Sequence, residues 1–137
     1  MAEAYIIDAV RTPRGIGKQG KGALAHMHPQ HLASTCLKAI KDRNDLDTAT
    51  VDDVIWSVST QDGMQAGDLG RMAALDAGYD VTSSGTTLDR FCGGGITSVE
   101  VFARAPRDHR GIVRYSGRTA GRLHVSLLLR LASLRAL

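Results

Sequence analysis

The chain has 137 residues, which is enough for one domain with an apolar core of its own. Its apolar fraction of 43% and charged fraction of 23% are typical of a globular protein and exclude disorder throughout. The net charge of +3 hides two unlike parts: residues 1–103 have 9 basic and 13 acidic side chains, whereas residues 104–137 have 8 arginines, no lysine and one acidic residue. These numbers predict one domain, residues 1–103, followed by an arginine-rich tail, residues 104–137.

The two cysteines, Cys36 and Cys92, lie too far from other cysteines or histidines to form a zinc motif, and no disulfide framework is visible. The N-terminus has an acidic residue and a strand-like run in place of a signal peptide, and no segment is long and apolar enough for a membrane span. We therefore expect a cytoplasmic protein with no bound metal, no membrane contact and no nucleic-acid partner.

The first half of the chain alternates between strand and helix patterns. Residues 4–10 form a short apolar run that leads into a glycine-rich loop, which predicts a buried strand. Residues 29–41 have apolar side chains at helical spacing, with Pro29 in the first turn, which predicts an amphipathic helix. Residues 51–58 follow an acidic turn and predict a second strand.

A further unit precedes Cys92. Residues 68–77 are typical of a helix that Gly78 ends, and residues 81–88, rich in serine and threonine, favour a strand. Residues 91–99 then indicate a tight turn from that strand into another helix. This alternation predicts a layered α/β fold with a largely parallel sheet flanked by helices.

Cys92 is the candidate nucleophile. It lies at the predicted carboxyl end of a strand, where the free N–H groups of the next helix favour the thiolate form of the side chain. Three glycines, residues 93–95, follow it and leave room for an acyl group and its carrier, and their N–H groups could bind an oxyanion. A lone cysteine is more often a buried apolar side chain. Cys36, on the apolar face of the first helix, fits that alternative, whereas the glycines favour a reactive Cys92.

Several segments, in this order, resemble the thiolase family of acetyl-CoA C-acyltransferases. They are IDAVRTP at residues 7–13, an acidic pair before VIW at residues 54–56, GRMAA at residues 70–74 and TLDRFCGGG at residues 87–95. The likeness covers about residues 4–100, with Asp89 where the family commonly has Asn and Gly94 where Ser is common. It implies the N-terminal part of a thiolase-like fold, incomplete in this chain.

The resemblance also implies an activity. In the family, the cysteine matching Cys92 takes an acyl group from an acyl-CoA and passes it to CoA or to an acetyl-CoA carbanion. This implies thiolysis of 3-ketoacyl-CoA or Claisen condensation, the chemistry of fatty-acid metabolism and β-oxidation. CoA is then a substrate, no cofactor is bound, and the intact family forms homo-oligomers. The resemblance assigns no CoA-binding residue here.

Turnover in thiolases also needs a histidine, a second cysteine and a CoA-binding loop region, none of which can be matched in these residues. No histidine lies in a matching pattern, and all five are expected on the surface or in loops; they are His26, His28, His31, His109 and His124. The chain is therefore expected to be inactive alone. The alternative is a non-catalytic fragment or pseudoenzyme that acts as an interaction module.

The tail departs from the family pattern after Ala103. Pro106 and several charges stand where a helix should continue, and 8 arginines without a lysine are typical of a shifted reading frame in a GC-rich gene. We expect that residues 104–137 were not selected for this fold. The rival hypothesis is an amphipathic helix at residues 124–137 for a membrane surface or a partner.

Overall fold

The computed structural model describes residues 6–16 and 20–104, together with the backbone of two strands at residues 111–119 and 122–130. Three α-helices and six strands are described within these ranges. They are β1 (Asp8–Arg11), β2 (Gly15–Ile16), α1 (Pro29–Arg43), β3 (Asp53–Val58), α2 (Leu69–Asp76), β4 (Ser84–Asp89), α3 (Gly94–Ala103), β5 (Gly111–Thr119) and β6 (Arg122–Arg130). The predicted succession of strand, helix, strand, helix, strand and helix through residue 103 is confirmed.

The strands form a single sheet in the order β1-β6-β5-β3-β4. The strands β4 and β5 lie on either side of β3 and run parallel to it. The strand β6 runs antiparallel to β5 and to β1, and the short β2 also pairs with β6. The parallel part therefore comprises β5, β3 and β4, and it leads to Cys92.

One face of the sheet is covered by α1 and α2. The alternate β3 side chains Val54, Trp56 and Val58 point to this face and are fully buried. They pack in one cluster with Leu37 and Ile40 of α1 and with small alanine side chains of α2. This cluster is the main core of the molecule.

The other face is covered by α3. Ile55, which alternates with Val54 and Trp56 along β3, packs against Phe102 of α3, and Leu88 of β4 lies beside them. Helices therefore flank the parallel strands on both faces. The predicted layered α/β fold is confirmed.

The helix α2 lies unusually close to the sheet. A Cβ atom on Gly70 would be 2.8 Å from the Cβ of Trp56, and one on Gly85 would be 2.6 Å from the Cα of Arg71. Glycine is required at both positions because any larger side chain would overlap a neighbour. At its other end α2 stops before Gly78, whose φ of +72° suits glycine, as the sequence predicts.

The tail contributes the backbone of β5 and β6 to the middle of the sheet, between β1 and β3. The rival hypothesis of a helix beginning at residue 124 is wrong as far as residue 130, because these residues form a strand. Residues 131–137 lie outside the described residues. No helix in the described part of the chain is long and apolar enough to cross a membrane.

Candidate active site

Cys92 lies in a short turn between β4 and α3. The strand ends at Asp89, residues Phe91–Gly93 form one turn of 3₁₀ helix, and α3 begins at Gly94. The thiol is free and exposed. The predicted strand-to-helix turn is therefore present, and it brings the sulfur to the surface at the carboxyl end of the parallel strands.

The backbone of this turn is sharply bent. Phe91 has a φ of +40°, in the left-handed region that non-glycine residues seldom adopt. The turn is closed by the N–H of Gly93, which donates to the carbonyl of Arg90 at 2.9 Å, and the N–H of Arg90 donates to the carbonyl of Val58 on β3 at 3.4 Å. The Cys92 turn is thus tied to the end of the neighbouring strand.

Hydrogen bonds from the segment between β3 and α2 and from the start of α2 fix the end of β4. Gln61 donates its main-chain N–H to the Asp89 carboxylate at 2.9 Å and its side-chain amide to the Thr87 carbonyl at 3.1 Å. The Thr87 hydroxyl donates to Asp68 at 2.6 Å and accepts the N–H of Gly70 at 2.9 Å. The loop between β3 and α2 therefore holds the strand that leads into the Cys92 turn.

Sequence reasoning missed Gln61, Thr87 and Asp68 as supports of the site. Gln61 and Asp68 contact residues 19 to 28 positions away, which a local pattern does not reveal. A partial signal existed for Asp68, since an Asp directly before a helical pattern is a common N-cap. In the structure Asp68 caps α2 by accepting the N–H of Arg71 at 3.3 Å.

The Arg90 side chain folds over the same turn. Its Nη1 donates to the Thr97 hydroxyl, and that hydroxyl also donates to the Gly93 carbonyl at 3.3 Å. A Cβ atom on Gly93 would be 3.5 Å from the Nε of Arg90, which is an ordinary contact. The described neighbours therefore do not require glycine at position 93, and the Arg90 side chain lies in van der Waals contact with the place that a side chain would occupy there.

The three described histidines lie away from the turn. His28 caps α1 by accepting the N–H of Gln30 at 3.2 Å, and His26 is exposed in the preceding loop. His31 lies 4.0 Å from Asp76, at the end of α2 opposite the one that contacts Thr87. These positions agree with the expected surface location, while His109 and His124 lie outside the residues whose side chains are described.

Cys36 and the acidic side chains form no second reactive site in the described residues. Cys36 is 3% exposed within the main core, as the sequence predicted. In residues 6–16 and 20–104, no three His, Cys, Asp or Glu side chains converge as metal ligands would. Of the two cysteines, Cys92 alone is exposed, and it stays the candidate nucleophile.

The described fold is thus a layered α/β fold that carries an exposed cysteine on a tight strand-to-helix turn. The family model described as "Thiolase, N-terminal domain" matches residues 4–106. The chain belongs to the thiolase family, and it contains part of the family's N-terminal domain.

Named relatives agree with this assignment. The chain is 45% identical to a steroid 3-ketoacyl-CoA thiolase of Mycobacterium tuberculosis, over 77% of this chain and 25% of that protein. It is 39% identical to a 3-oxoadipyl-CoA/3-oxo-5,6-dehydrosuberyl-CoA thiolase of Escherichia coli, over 85% of this chain and 29% of that protein. A 3-ketoacyl-CoA thiolase of Shewanella loihica is 36% identical over 77% of this chain and 27% of that protein. The chain spans between a quarter and a third of the length of these relatives.

Proposed function

We propose that Cys92 is an acyl acceptor that takes an acyl group from an acyl-CoA as a thioester. The observation that carries this proposal is the position of an exposed Cys92 at the start of α3, on a turn held by β3 and β4. The free N–H groups of the first helical turn favour negative charge there. The exposure of the thiol supports approach of a bulky acyl donor.

The step that these residues could carry out is thioester exchange. The Cys92 sulfur attacks the carbonyl carbon of the acyl-CoA, a new C–S bond forms, and the C–S bond to CoA breaks. The CoA thiolate leaves and takes up a proton from water, which replaces the proton that Cys92 released. Because a thiolate is a good leaving group, this exchange needs no separate acid.

Thiolysis of a 3-ketoacyl-CoA makes a greater demand. There the sulfur attacks the 3-keto carbon, a C–C bond breaks, and the departing carbanion must be protonated by an acid. The family's histidine and second cysteine have no match in the 137 residues. We therefore propose that the whole thiolase carries out thiolysis or condensation, whereas this chain alone supports acylation without turnover.

The test measures CoA released from acetyl-CoA by the full 137-residue chain. We expect release of up to one equivalent of CoA per chain and none above background from Cys92→Ala. A second assay measures CoA-dependent cleavage of acetoacetyl-CoA. Turnover well above Cys92→Ala would contradict the proposal that the chain is inactive alone, and absence of any CoA release would contradict the role of Cys92.

A second function, that of an interaction module, is favoured by an apolar surface around the same turn. Phe91 is 70% exposed and Ile96 is 77% exposed, and Val99 follows Ile96 one turn later on α3. A helix in a folded domain normally buries such a stripe. The relatives have about three quarters of their length outside the matched region, so we propose that a thiolase segment covers it.

Sedimentation of the chain mixed with a purified complete thiolase tests this second function. We expect a mixed complex that Ile96→Asp abolishes and that Leu75→Asp, at an exposed position on α2, preserves. No complex, or equal loss in both variants, would contradict the role of this surface.

Pairing with a second copy is a further proposal, consistent with the homo-oligomers of the intact family. Among the described strands, β4 has a neighbour on one side only, β3, so its other edge presents unpaired backbone groups. Sedimentation of the chain by itself should then show a dimer, and a concentration-independent monomer would contradict it.

A further inference from the structure

We propose that Arg90 is a positioning residue that holds the Cys92 turn and places a positive charge beside the thiol, so that anionic species are favoured at the sulfur. This inference rests on the proposed role of Cys92 as the acyl acceptor. It assigns a role to the residue that directly precedes the turn, two positions before the candidate nucleophile.

The first support is the fold of the Arg90 side chain back along the turn. A Cβ atom on Gly93 would lie 3.7 Å from both Cγ and Cδ of Arg90 and 3.5 Å from its Nε. The guanidinium then reaches the Thr97 hydroxyl, one turn into α3. The side chain thus spans from the end of β4 to the helix, past the residue that directly follows Cys92.

The second support is that the charge is not neutralised. In residues 6–16 and 20–104, the ion pairs are formed by other cations, and the carboxylates nearest along the chain are engaged elsewhere. Asp89 accepts the N–H of Gln61, and Glu100 pairs with Arg104 at 2.6 Å. The Thr97 hydroxyl that fixes Arg90 is neutral, and Arg90 takes part in none of these ion pairs, although the Asp89 carboxylate one position before it is also charged.

The consequence concerns each anionic species formed at Cys92. The oxyanion that forms when the sulfur attacks a thioester and the negatively charged CoA carrier both gain from a nearby fixed cation. The N–H groups at the start of α3 act in the same direction. Arg90 therefore adds a full charge to the partial charge of the helix.

The experiment compares two alkylating reagents of similar size, anionic iodoacetate and neutral iodoacetamide, on the full chain. The rate of label on the Cys92 peptide is measured by mass spectrometry, which separates it from the buried Cys36. The ratio of the two rate constants reports the local charge, because a change in thiol exposure or flexibility alters both rates together. We expect Arg90→Met to lower the ratio by about two- to threefold, the effect of one charge at short range in water.

Three further variants make the result specific. Arg90→Lys keeps the charge and should retain most of the ratio. Thr97→Val removes the hydroxyl that fixes the guanidinium and should lower the ratio by a smaller factor than Arg90→Met. The matched control is Arg104→Met, which removes the same charge from the far end of α3, about 15 Å along the helix, and should leave the ratio unchanged.

The proposal is overturned if Arg90→Met slows both reagents equally, since that result shows a purely structural role. An equal fall in Arg104→Met also overturns it, since it shows an effect of net charge alone. Raising the salt concentration should reduce the difference between Arg90→Met and the parent chain. If Cys92 fails to accept an acetyl group, the proposed function fails, but the alkylation ratio still measures the charge that Arg90 supplies.

Discussion

Phe91 shows most directly that the Cys92 turn is imposed by its surroundings. Its φ of +40° costs a residue with a Cβ atom about 1–2 kcal/mol, and its ring is exposed, so local packing does not repay that cost. The bonds from Arg90 to Val58 and from Gly93 to Arg90 hold the backbone in place. The strain lies immediately before the candidate nucleophile.

We expect substitutions at position 91 to follow backbone preference more than hydrophobicity. Phe91→Asn should leave the free energy of unfolding unchanged or raise it slightly, because Asn tolerates the left-handed region. Phe91→Val should lower it by up to about 1 kcal/mol, because a β-branched side chain fits that region less well than the phenylalanine side chain does.

Urea unfolding measures both variants of Phe91, with Leu75→Val as a control that introduces a β-branched residue at an exposed helical position. If Phe91→Asn proved the more damaging of the two, the bent turn would be disproved.

Asp80 provides a prediction about pH. The hydroxyl of Thr82 donates to its carboxylate at 2.6 Å and the N–H of Thr82 at 2.8 Å, and these two bonds lower the pKa of Asp80 below its ordinary value of 3.8. Because the folded-state pKa is the lower one, the stabilisation is present above about pH 4 and is lost as the pH falls through the folded value.

Thr82→Val removes the larger of the two causes. We expect the pKa of Asp80 to move up towards 3.8 while staying below it, because the backbone bond remains. Carboxyl NMR titration of Asp80 checks this expectation. A pKa that does not move, or that falls, would show that the hydroxyl bond is not formed.

The two cysteines show what sequence could predict at this scale. The residues around each cysteine predicted that Cys36, on an apolar helical face, is buried and that Cys92, which precedes three glycines, is reactive. In the structure Cys36 is buried and Cys92 is exposed. The contacts of Gln61 with Asp89 and of Asp68 with Thr87 could not be predicted, because they depend on how the loop before α2 lies across the sheet.

At the scale of elements, the closest contact is between α2 and the sheet. Gly70 at the start of the helix and Gly85 on β4 let the two backbones meet. The spacing of apolar residues and the turn residues predicted both the helix and the strand. They did not predict that Gly70 packs against the sheet and Gly85 against α2. The ends also shifted: a strand expected at residues 81–88 is Ser84–Asp89, because Asp80 and Thr82 form a turn first.

We expect Gly85→Ala to lower the free energy of unfolding by about 1–3 kcal/mol, because the new methyl group would lie 2.6 Å from the Cα of Arg71. Thr86→Ala, at the next position on an exposed face of β4, is the matched control and should cost less. Denaturant unfolding of both variants tests the contact, and equal small losses would contradict it.

At the scale of the whole molecule, the arginine-rich tail occupies the place beside β3. The backbone pairing of β5 and β6 uses groups that every residue except proline has, so a segment that was not selected for this fold can still supply strands. The proposal that residues 104–137 come from a shifted reading frame is compatible with this placement. The family-model match ends at residue 106, before β5 begins, so the resemblance gave no means of predicting the hairpin.

The coding DNA tests the origin of the tail. We expect that, from about codon 104 onward, one of the other two frames reads as a continuing thiolase sequence. If neither frame does, the shifted-frame proposal is wrong and the tail belongs to the protein as encoded.

The central claim is that Cys92 accepts an acyl group. After incubation of the full chain with acetyl-CoA, peptide mapping by mass spectrometry should find one acetyl group as a hydroxylamine-sensitive thioester on the peptide that contains Cys92, with none on Cys36. Acetyl groups found only on lysine side chains or on Cys36, or equal labelling of Cys92→Ala, would contradict the account.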